Sequence, residues 1–481
     1  MASSSSHSLI LLVSYCSFFF FFFAAAATKE AHHYHHHTLQ LTSILPSSVC
    51  NPSTTGNKRR GSVLEVVHKH GPCSMLSMNP LKVEEDLFTH DQSRVDSIRV
   101  RAKLAQNMTA KTDVVLLAGS KATLPVKPGS SIGSGNYIVT IGLGTPAKQL
   151  SLVFDTGSDL TWTQCEPCAR SCYTQQQPVF APSASTTYSN ISCAATQCSD
   201  LTSATGNTPA CSSSTCVYGI QYGDQSFSAG FFATEKLTLT SKDVVNGFYF
   251  GCGENQQGLF GMTAGLLGLG RDKLSIVSQT ANKYGRVFSY CLPSRSSSSG
   301  YLTFGRGALA RNIKYTPLVS TSRGGGSFYG LTLTGITVGG RRLVISPTVF
   351  QTSGMIIDSG TVITRLPPTA YSALSKAFRA QMSKYPLTKG VSILDTCYDL
   401  SKFTTISIPK ISMVWGGNTN VELAPQGILF AAGGASQVCL AFAANGDDSD
   451  IGIFGNVQQT TMAVVYDVAG RKVGFGPQGC A

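Results

Sequence analysis

Short runs of apolar residues, separated by clusters of glycine, serine, asparagine and aspartate, dominate the chain from residue 137 onwards. Runs such as YIVTIGLG at 137–144 are rich in β-branched and aromatic residues and are too short for core helices. The Gly-, Ser- and Asn-rich stretches between them are typical of tight turns. This pattern predicts an all-β chain, mainly strands with a few short helices.

The N-terminal part has a different pattern. Residues 61–73 predict one strand and a turn, and residues 81–106 carry Leu87, Val95, Ile98 and Leu104 at helical spacing. Acidic residues come early in that helix and basic residues late, as the helix dipole favours, so we expect a basic helix rather than a core one. The simplest interpretation is a pro-segment at 28–130 that ends in a Pro/Gly/Ser-rich junction at 125–136, with the tract HHYHHH at 32–37 as a flexible junction.

The first residues contain a continuous apolar block, LILLVSYCSFFFFFFAAAA, that ends in small residues. Its shape predicts a secretory signal at 1–27, cleaved near Ala27. An uncleaved membrane anchor stays open because the block is long enough to span a bilayer. An organelle transit peptide is less favoured because those are rich in arginine and lack such a block.

The remainder of the chain contains an internal repeat. LVFDTGSDLT at 152–161 superposes on MIIDSGTVIT at 355–364 when Asp155 is placed on Asp358. Each copy follows a strand-like run, and each is followed later by apolar residues between glycines, GLLGLG at 265–270 and GIFGNV at 452–457. Correspondences in this order predict two related lobes, at 131–318 and 319–481, joined near residues 310–325.

Asp155 and Asp358 each end an apolar run, where a carboxylate is expensive to bury unless donors surround it. Equivalent positions in two related lobes can meet at a pseudo-two-fold axis. Two close carboxylates then share a proton, so that one acts as general base on a water molecule and the other as general acid. Thr156 and Ser359 are expected to tie the two loops together beneath this site.

The residues after each aspartate fit this role. Gly157 and Gly360 allow close approach of the backbone, and Ser158 and Thr361 can donate hydroxyl hydrogen bonds to the outer carboxylate oxygens. The repeat therefore predicts a catalytic pair of aspartates with matched supporting residues.

Twelve cysteines lie between Cys165 and Cys480, an even number that is typical of disulfides formed in an oxidising compartment. A metal site is not favoured because no histidine lies beyond His90. The formal charge of +12 is spread along the chain, with 13 basic and 8 acidic residues before position 130 and 24 and 17 after it. A solvated surface is favoured over a nucleic-acid or polyanion site, which stays an alternative.

The chain after the junction resembles a pepsin-type aspartic endopeptidase, and more closely the plant nepenthesin-like branch. The resemblance rests on these residues: Asp155-Thr156-Gly157-Ser158 with Trp162, Asp358-Ser359-Gly360-Thr361, and the motifs ending at Gly268 and Gly455. It implies a bilobal fold of two pseudo-symmetric β-barrel-like lobes with the active site in the cleft between them. IQYGDQSFSAG at 220–230 would be the flap over the substrate, with Tyr222 and Gly223 in contact with substrate and Trp162 bonded to Tyr222.

The resemblance also implies a disulfide pairing, which sequence alone does not give. The implied pairs are Cys165–Cys168, Cys172–Cys252, Cys193–Cys211, Cys198–Cys216, Cys291–Cys480 and Cys397–Cys439. Two sequons predict glycosylation at Asn107 and Asn190.

We therefore expect a monomeric endopeptidase, made as a zymogen, that acts on proteins or peptides at acidic pH without metal or organic cofactor. The pro-segment should block the cleft through its basic residues, because the aspartates are anionic above acidic pH. We expect secretion to the cell wall space, with no membrane contact beyond the signal. The pro-segment motif VLEVVHKHGPCS resembles a subgroup that includes a chloroplast nucleoid DNA-binding protease, so chloroplast and vacuole stay open. The alternative functions are a polyanion- or DNA-binding protein and a catalytically silent, inhibitor-like scaffold.

Overall fold

The structure, a computed structural model, describes most of the chain after residue 34. The described ranges are 35–45, 49–50, 62–69, 71–74, 83–107, 137–222, 226–258, 260–294, 298–306, 312–320, 326–477 and 479–480. The predicted signal, the junction at 125–136 and Gly223 lie outside them. All elements below belong to the unit of residues 36–481. Within the described ranges, no helix combines the length and apolarity needed to cross a membrane.

Strands make up most of the regular structure, as the short apolar runs predict. The first part of the chain contributes β1 (His36–Gln40), β2 (Ser62–His68), β3 (Tyr137–Leu143), β4 (Lys148–Asp155), β5 (Trp162–Gln164), β6 (Ser189–Asn190), β7 (Ala210–Ser212), β8 (Thr215–Gln221), β9 (Phe227–Thr240), β10 (Asp243–Gln257), β11 (Gly265–Gly268), β12 (Val287–Cys291), β13 (Ser299–Phe304) and β14 (Lys314–Pro317). The second part contributes β15 (Tyr329–Leu331), β16 (Leu333–Val338), β17 (Arg341–Arg342), β18 (Met355–Ile357), β19 (Thr364–Leu366), β20 (Leu387–Thr388), β21 (Cys397–Tyr398), β22 (Thr405–Pro409), β23 (Ile411–Trp415), β24 (Thr419–Glu422), β25 (Leu429–Ala431), β26 (Val438–Leu440), β27 (Phe442–Ala444), β28 (Gly452–Phe454), β29 (Ala463–Asp467) and β30 (Lys472–Gly476).

The helices are few, and most are short. They are α1 (Val83–Asn107), α2 (Thr196–Thr205), α3 (Ile276–Gln279), α4 (Ala281–Tyr284), α5 (Pro347–Ser353) and α6 (Pro368–Gln381). Helix α6 buries Leu374 and Phe378 on one face, at the i, i+4 spacing of an amphipathic helix. The mainly-β prediction is confirmed.

The two lobes contain the same local arrangement around the predicted repeat. In the first lobe β4 pairs in parallel with β11, which also pairs in antiparallel with β5. In the second lobe β18 pairs in parallel with β28, which also pairs in antiparallel with β19. The Gly-bounded motifs of the sequence are therefore the strands that lie beside the aspartate strands in both lobes, which confirms the internal repeat.

One long sheet joins residues from both ends of the chain. Its order runs β14-β30-β29-β12-β13-β2-β3-β4-β11-β5-β10-β9-β8-β7. Strands β29 and β30 come from the C-terminal part, and β2 comes from the predicted pro-segment. The rings of Phe288 and Tyr466 stack at a centroid distance of 4.4 Å, and Tyr329 packs edge-on against Tyr466 at 4.6 Å. The core is thus continuous across the lobes.

The region predicted to be a pro-segment is built into the body of the protein. Strand β2 lies between β13 and β3, and β1 pairs with β22 of the second lobe. The expectation of a flexible His tract is therefore wrong for His36 and His37, which begin strand β1 because its backbone pairs with β22.

Helix α1 is not merely a basic surface helix, and this part of the prediction is wrong. Its residues Phe88, Val95, Ile98 and Ala102 are buried, and Asp91 lies on the same face. Alternating steps of three and four residues bring these side chains onto one stripe. That stripe packs on the second lobe, where Val95 and Ile98 share a cluster with Ile356 and Ile453.

Two of the implied disulfides, Cys165–Cys168 and Cys172–Cys252, are wrong because these four cysteines exchange partners. Cys165 pairs with Cys252, and Cys168 pairs with Cys172. Strand β5 runs parallel to β10 and places Thr163 beside Cys252, so Cys165 at the end of β5 is within reach. Cys168 and Cys172 are only four positions apart and form a disulfide with each other. The other four implied pairs form as expected, and Cys50–Cys73 is an additional one.

Replacing both Cys291 and Cys480 by serine is expected to lower the free energy of unfolding by about 2–5 kcal/mol. The bond joins residues 189 positions apart, so its loss frees a long loop in the unfolded chain. The matched variant Cys168→Ser/Cys172→Ser opens a loop of only four positions and should lose clearly less. Denaturant unfolding without reductant measures both losses, and equal losses would contradict the loop argument.

Candidate active site

Asp155 stands at the end of β4, where the apolar residues before it bury its carboxylate. Two donors of the following turn compensate for the lost water. The backbone N–H of Gly157 donates to Oδ1 at 2.9 Å, and the hydroxyl of Ser158 donates to Oδ2 at 2.6 Å. Hydrogen bonds to the ionised form make a buried carboxylate tolerable.

Asp358 follows β18 and has the same set of donors. The N–H of Gly360 donates to Oδ1 at 3.1 Å, and the hydroxyl of Thr361 donates to Oδ2 at 2.6 Å. The two carboxylates are therefore held by equivalent atoms of equivalent loops. The predicted positions of Ser158 and Thr361 on the outer oxygens agree with these contacts.

Thr156 and Ser359 join the two loops across the pseudo-two-fold axis. The N–H of Thr156 donates to Ser359 Oγ at 3.1 Å, and the N–H of Ser359 donates to Thr156 Oγ1 at 2.8 Å. All four atoms are buried, so each hydroxyl satisfies a backbone donor that water cannot reach. This reciprocal pair fixes the distance between the aspartate loops.

Glycine is required next to each aspartate because the opposite carboxylate faces it. A Cβ atom on Gly157 would lie 2.8 Å from Asp358 Oδ1, and one on Gly360 would lie 2.7 Å from Asp155 Oδ1. Any side chain at these positions would push the carboxylates apart. The two aspartates thus share one site, as the repeat predicts.

Arg94 of helix α1 lies on both aspartates. Its Nη2 donates to Asp155 Oδ1 at 2.5 Å and to Asp358 Oδ1 at 2.9 Å, while Nε donates to Asp358 Oδ2 at 2.9 Å and Nη1 to Asp155 Oδ2 at 3.3 Å. All four carboxylate oxygens therefore accept a hydrogen bond from one guanidinium. The contact places a cation where a water molecule and a substrate would have to bind.

The charges in this site shift the pKa values as electrostatics requires. Burial alone would raise the pKa of Asp358, but the adjacent Arg94 guanidinium and the donors of Thr361 and Gly360 outweigh burial and lower it. Burial opposes the charge of Arg94 too, yet the two aspartates raise its pKa above the ordinary value. The guanidinium stays charged in the site.

A second contact fixes helix α1 one turn before Arg94. The buried carboxylate of Asp91 accepts hydrogen bonds from the backbone N–H groups of Val362 and Ile363, and its Oδ2 lies 2.9 Å from Nη2 of Arg365. Both Asp91 and Arg365 are fully buried. Burial raises the pKa of Asp91, although Arg365 and the two backbone donors lower it.

Arg94, Asp91 and Arg365 were not among the site residues predicted from the sequence. Basic residues of the predicted pro-segment were expected to block the cleft, and Arg94 does lie on both aspartates; that this segment is a removable pro-segment stays a prediction. A partial signal for Arg94 is its place beside the stripe of Phe88, Asp91 and Val95; Arg101 shares that face seven residues later and donates to the carbonyl of Gly157, so the pattern alone does not choose between them.

The flap residues come together as expected. Nε1 of Trp162 donates to the hydroxyl of Tyr222 at 2.8 Å, and the ring of Phe260 packs edge-on against both. Trp162 is fully buried, so its indole N–H needs this acceptor. The role of Tyr222 and Gly223 in substrate binding stays a prediction.

Other predicted sites are placed as follows. Asn190 is exposed on β6 and accepts a hydrogen bond from the Tyr188 hydroxyl, and Asn107 ends α1; glycosylation at both stays a prediction. Among the described residues, no group of three or more His, Cys, Asp and Glu side chains is arranged to hold a metal ion.

Asp159 is a further buried carboxylate, and burial raises its pKa to about 7. It accepts a hydrogen bond from Asp272 N at 2.8 Å and thereby stabilises the turn after β11.

Comparison with known proteins places these features in context. Two family models match the chain, described as xylanase inhibitor N-terminal at residues 137–306 and xylanase inhibitor C-terminal at 328–477. An aspartyl protease family protein of Arabidopsis thaliana is 58% identical over 92% of this chain and 93% of its own length. Aspartic proteinase nepenthesin-2 of Nepenthes gracilis is 37% identical over 81% of this chain and 87% of its own.

Solved structures agree on the fold. Basic 7S globulin from soybean aligns with a TM-score of 0.56 at 22% identity, covering 71% of this chain and 91% of its own. Conglutin gamma from lupine seeds aligns with a TM-score of 0.57 at 22% identity, covering 72% of this chain and 93% of its own. At these identities the likeness concerns the two-lobed architecture alone.

Replacing Ser359 by alanine is expected to lower the free energy of unfolding by about 1–3 kcal/mol, because the N–H of Thr156 loses its acceptor in a buried place. Ser401→Ala is the matched control, since the Ser401 hydroxyl is exposed and bonds only its neighbour Asp399. The control should unfold as the wild type does. Denaturant unfolding compares them, and a Ser359→Ala protein as stable as the control would contradict the role of this pair.

Proposed function

Because the chain belongs to the plant pepsin-like aspartic protease family, we propose that it is made as an inactive precursor and hydrolyses peptide bonds at acidic pH once helix α1 leaves the cleft. The observation that carries the proposal is the contact of Arg94 with both Asp155 and Asp358. An arginine so placed neutralises the pair and occupies its centre. Release of the helix frees the pair for a water molecule.

In the freed site, one ionised carboxylate takes a proton from the water as it attacks the peptide carbonyl. The other carboxylate, protonated, donates its proton to the substrate. Sharing one proton suits two carboxylates that face each other across Gly157 and Gly360, because both cannot ionise at low cost. Neither a metal nor a covalent intermediate takes part in this proposal.

The catalytically silent scaffold is the weaker alternative for this chain. Both aspartates keep their full sets of donors, and the Trp162–Tyr222 bond of the flap is present. A silent relative has no need to keep these features together. Among the described residues, no specific contact favours a polyanion-binding function.

We extend the proposal to secretion, with the cell wall space as the destination and vacuole and chloroplast as alternatives. The disulfides support this, since such bonds form and persist in oxidising compartments. The N-terminus of protein recovered from cell-wall fluid, vacuole and plastid tests the route. A form found only in plastids would overturn secretion.

Replacing Arg94 by glutamine in the precursor is expected to raise its peptidase activity above that of the wild-type precursor at mildly acidic pH. The change removes the only ion-pair partner that the described residues supply to both aspartates, and breaking a buried pair costs about 3–5 kcal/mol of docking energy. Hydrolysis of a quenched fluorescent peptide measures the activity.

Two variants make this experiment specific. Arg99→Gln changes the same charge on the same helix, but Arg99 pairs with Asp96 and Asp450 and donates to Asn445 rather than to the dyad, so its precursor should gain clearly less activity than Arg94→Gln. Adding Asp155→Asn or Asp358→Asn to Arg94→Gln should abolish the activity gained. Full activity in either double variant would contradict the proposed chemistry.

The docking of α1 is expected to weaken as the pH falls below 3.8, the ordinary pKa of Asp358. A carboxylate whose pKa is lowered in the docked state stabilises docking above its ordinary value and loses this contribution as the pH falls through the lowered one. Asp91 has a raised pKa, so its protonation acts in the opposite direction and favours docking. Amide hydrogen exchange of α1, corrected for intrinsic rates, should show less protection below this pH.

In Arg94→Gln the contribution of Asp358 disappears, and the loss of protection on acidification should disappear with it. Protection of the wild-type helix that stays constant or rises below pH 3.8 would show that Asp91 dominates and would contradict release by acid.

A further inference from the structure

The contact of Asp91 points to a site that remains on the mature domain after α1 has gone. Val362 and Ile363 stand four and five residues after Asp358, in the same loop of the second lobe. Their N–H groups point at the two oxygens of the Asp91 carboxylate. The loop therefore presents two parallel donors to the cleft, in the arrangement that a carboxylate fits.

Arg365 completes this site from β19. Its Nη1 donates to the carbonyl of Ile363 at 2.9 Å, so the body of the protein holds the guanidinium in place. Its Nη2 has its partners on helix α1, namely Asp91 at 2.9 Å and Gln92 at 3.4 Å. Its Nε has no hydrogen-bond partner within the described part of the chain. The mature domain thus fixes the arginine but does not supply its anion.

The charged groups that act on Arg365 lie on the same helix. They are Asp91 and Asp96, which favour its charge, and Arg99, which opposes it. Loss of α1 removes all three. An arginine keeps its charge at every pH at which a protein folds, so the cleft then contains an uncompensated, fixed cation near the catalytic pair.

We propose that Arg365 and the backbone N–H groups of Val362 and Ile363 form a subsite for a carboxylate of the peptide substrate, which Asp91 fills in the precursor. This inference rests on the proposed release of α1. Asp91 precedes Arg94 by one helical turn, about 4.5 Å of axial rise. An extended peptide advances about 3.3 Å per residue, so we place the carboxylate within about three residues of the scissile bond.

Two parts of a peptide can supply this group. One is an Asp or Glu side chain, and the other is the α-carboxylate of the C-terminus. Both offer the same pair of oxygens to a guanidinium and two N–H groups. Peptide pairs that differ only in this group separate the two sources.

The experiment uses processed wild-type protein and peptides of one parent sequence. In the first arm, Glu replaces Gln at each position within three residues of the cleaved bond; in the second arm, a free C-terminus replaces an amide. At about pH 5.5, where these carboxylates are ionised, kcat/KM should favour the acidic peptide of one pair about tenfold. The preference should shrink towards pH 3 as the substrate carboxylate protonates.

Arg365→Gln should bring this ratio close to one. Arg379→Gln is the matched control, because Arg379 lies on α6 of the same lobe, also pairs with an aspartate, Asp395, and bonds Thr396 outside the cleft. The control should keep the wild-type ratio. If Arg365→Gln alone does not fold because Asp91 stays buried without its partner, the double variant Asp91→Asn/Arg365→Gln removes both charges and gives the same readout.

The possible results are distinct. A ratio near one for every pair, with both peptides of each pair cleaved by the wild type, overturns the subsite and leaves the protease function standing. A preference that survives in Arg365→Gln also overturns it. Cleavage of neither peptide series counts against the proposed function instead.

Discussion

The guanidinium of Arg94 lies between two buried carboxylates and donates to all four of their oxygens. One cation placed between two acids offsets the repulsion between their negative charges. Two carboxylates facing each other in the interior repel, and they need a shared proton or a cation to stay together. In the structure the cation supplies this, and in the proposed mature enzyme a shared proton would do so. In the proposed activation, the change from the cation to the shared proton separates the inactive state from the active one.

The two lobes contribute equally to the aspartates and unequally to the helix that covers them. Equivalent strands, turns and hydroxyls hold Asp155 and Asp358. Asp91 of the helix pairs with Arg365 of the second lobe, and Val95 and Ile98 also pack on that lobe. The covering helix therefore packs on the second lobe and reaches the first through two arginines, Arg94 on Asp155 and Arg101 on the carbonyl of Gly157. The two aspartate loops are equivalent, whereas the contacts of helix α1 with the two lobes are not.

The repeat allowed the aspartate pair to be predicted, because a strand that ends in Asp-Thr/Ser-Gly is a local pattern that appears twice in one order. Local sequence does not show which arginine of α1 contacts both aspartates. That contact depends on the rotation of the helix against the cleft, which only the packing of Phe88 and Val95 determines.

The cysteine pairing depended on long-range geometry in the same way. Cys165 and Cys168 are near each other in sequence, but the parallel register of β5 and β10 brings Cys252 closer to Cys165. Arg365 in the segment Thr-Arg-Leu also gives no sign of burial, since a strand exposes every second residue in most settings. Its burial follows from an ion pair with a residue 274 positions earlier, which sequence patterns do not reveal.

The covering segment, which contains β2 and α1, is also part of the long sheet through β2. This strand lies in the middle of the long sheet, hydrogen-bonded to β13 along its length and to β3 at its end. A segment at the edge can leave a sheet without consequence, but one in the middle leaves two neighbours with open backbone groups that must find new partners. The proposed departure of the covering segment would therefore rearrange the fold rather than remove a lid. Under the proposed processing, the mature chain would keep an architecture that was assembled with a strand it no longer has.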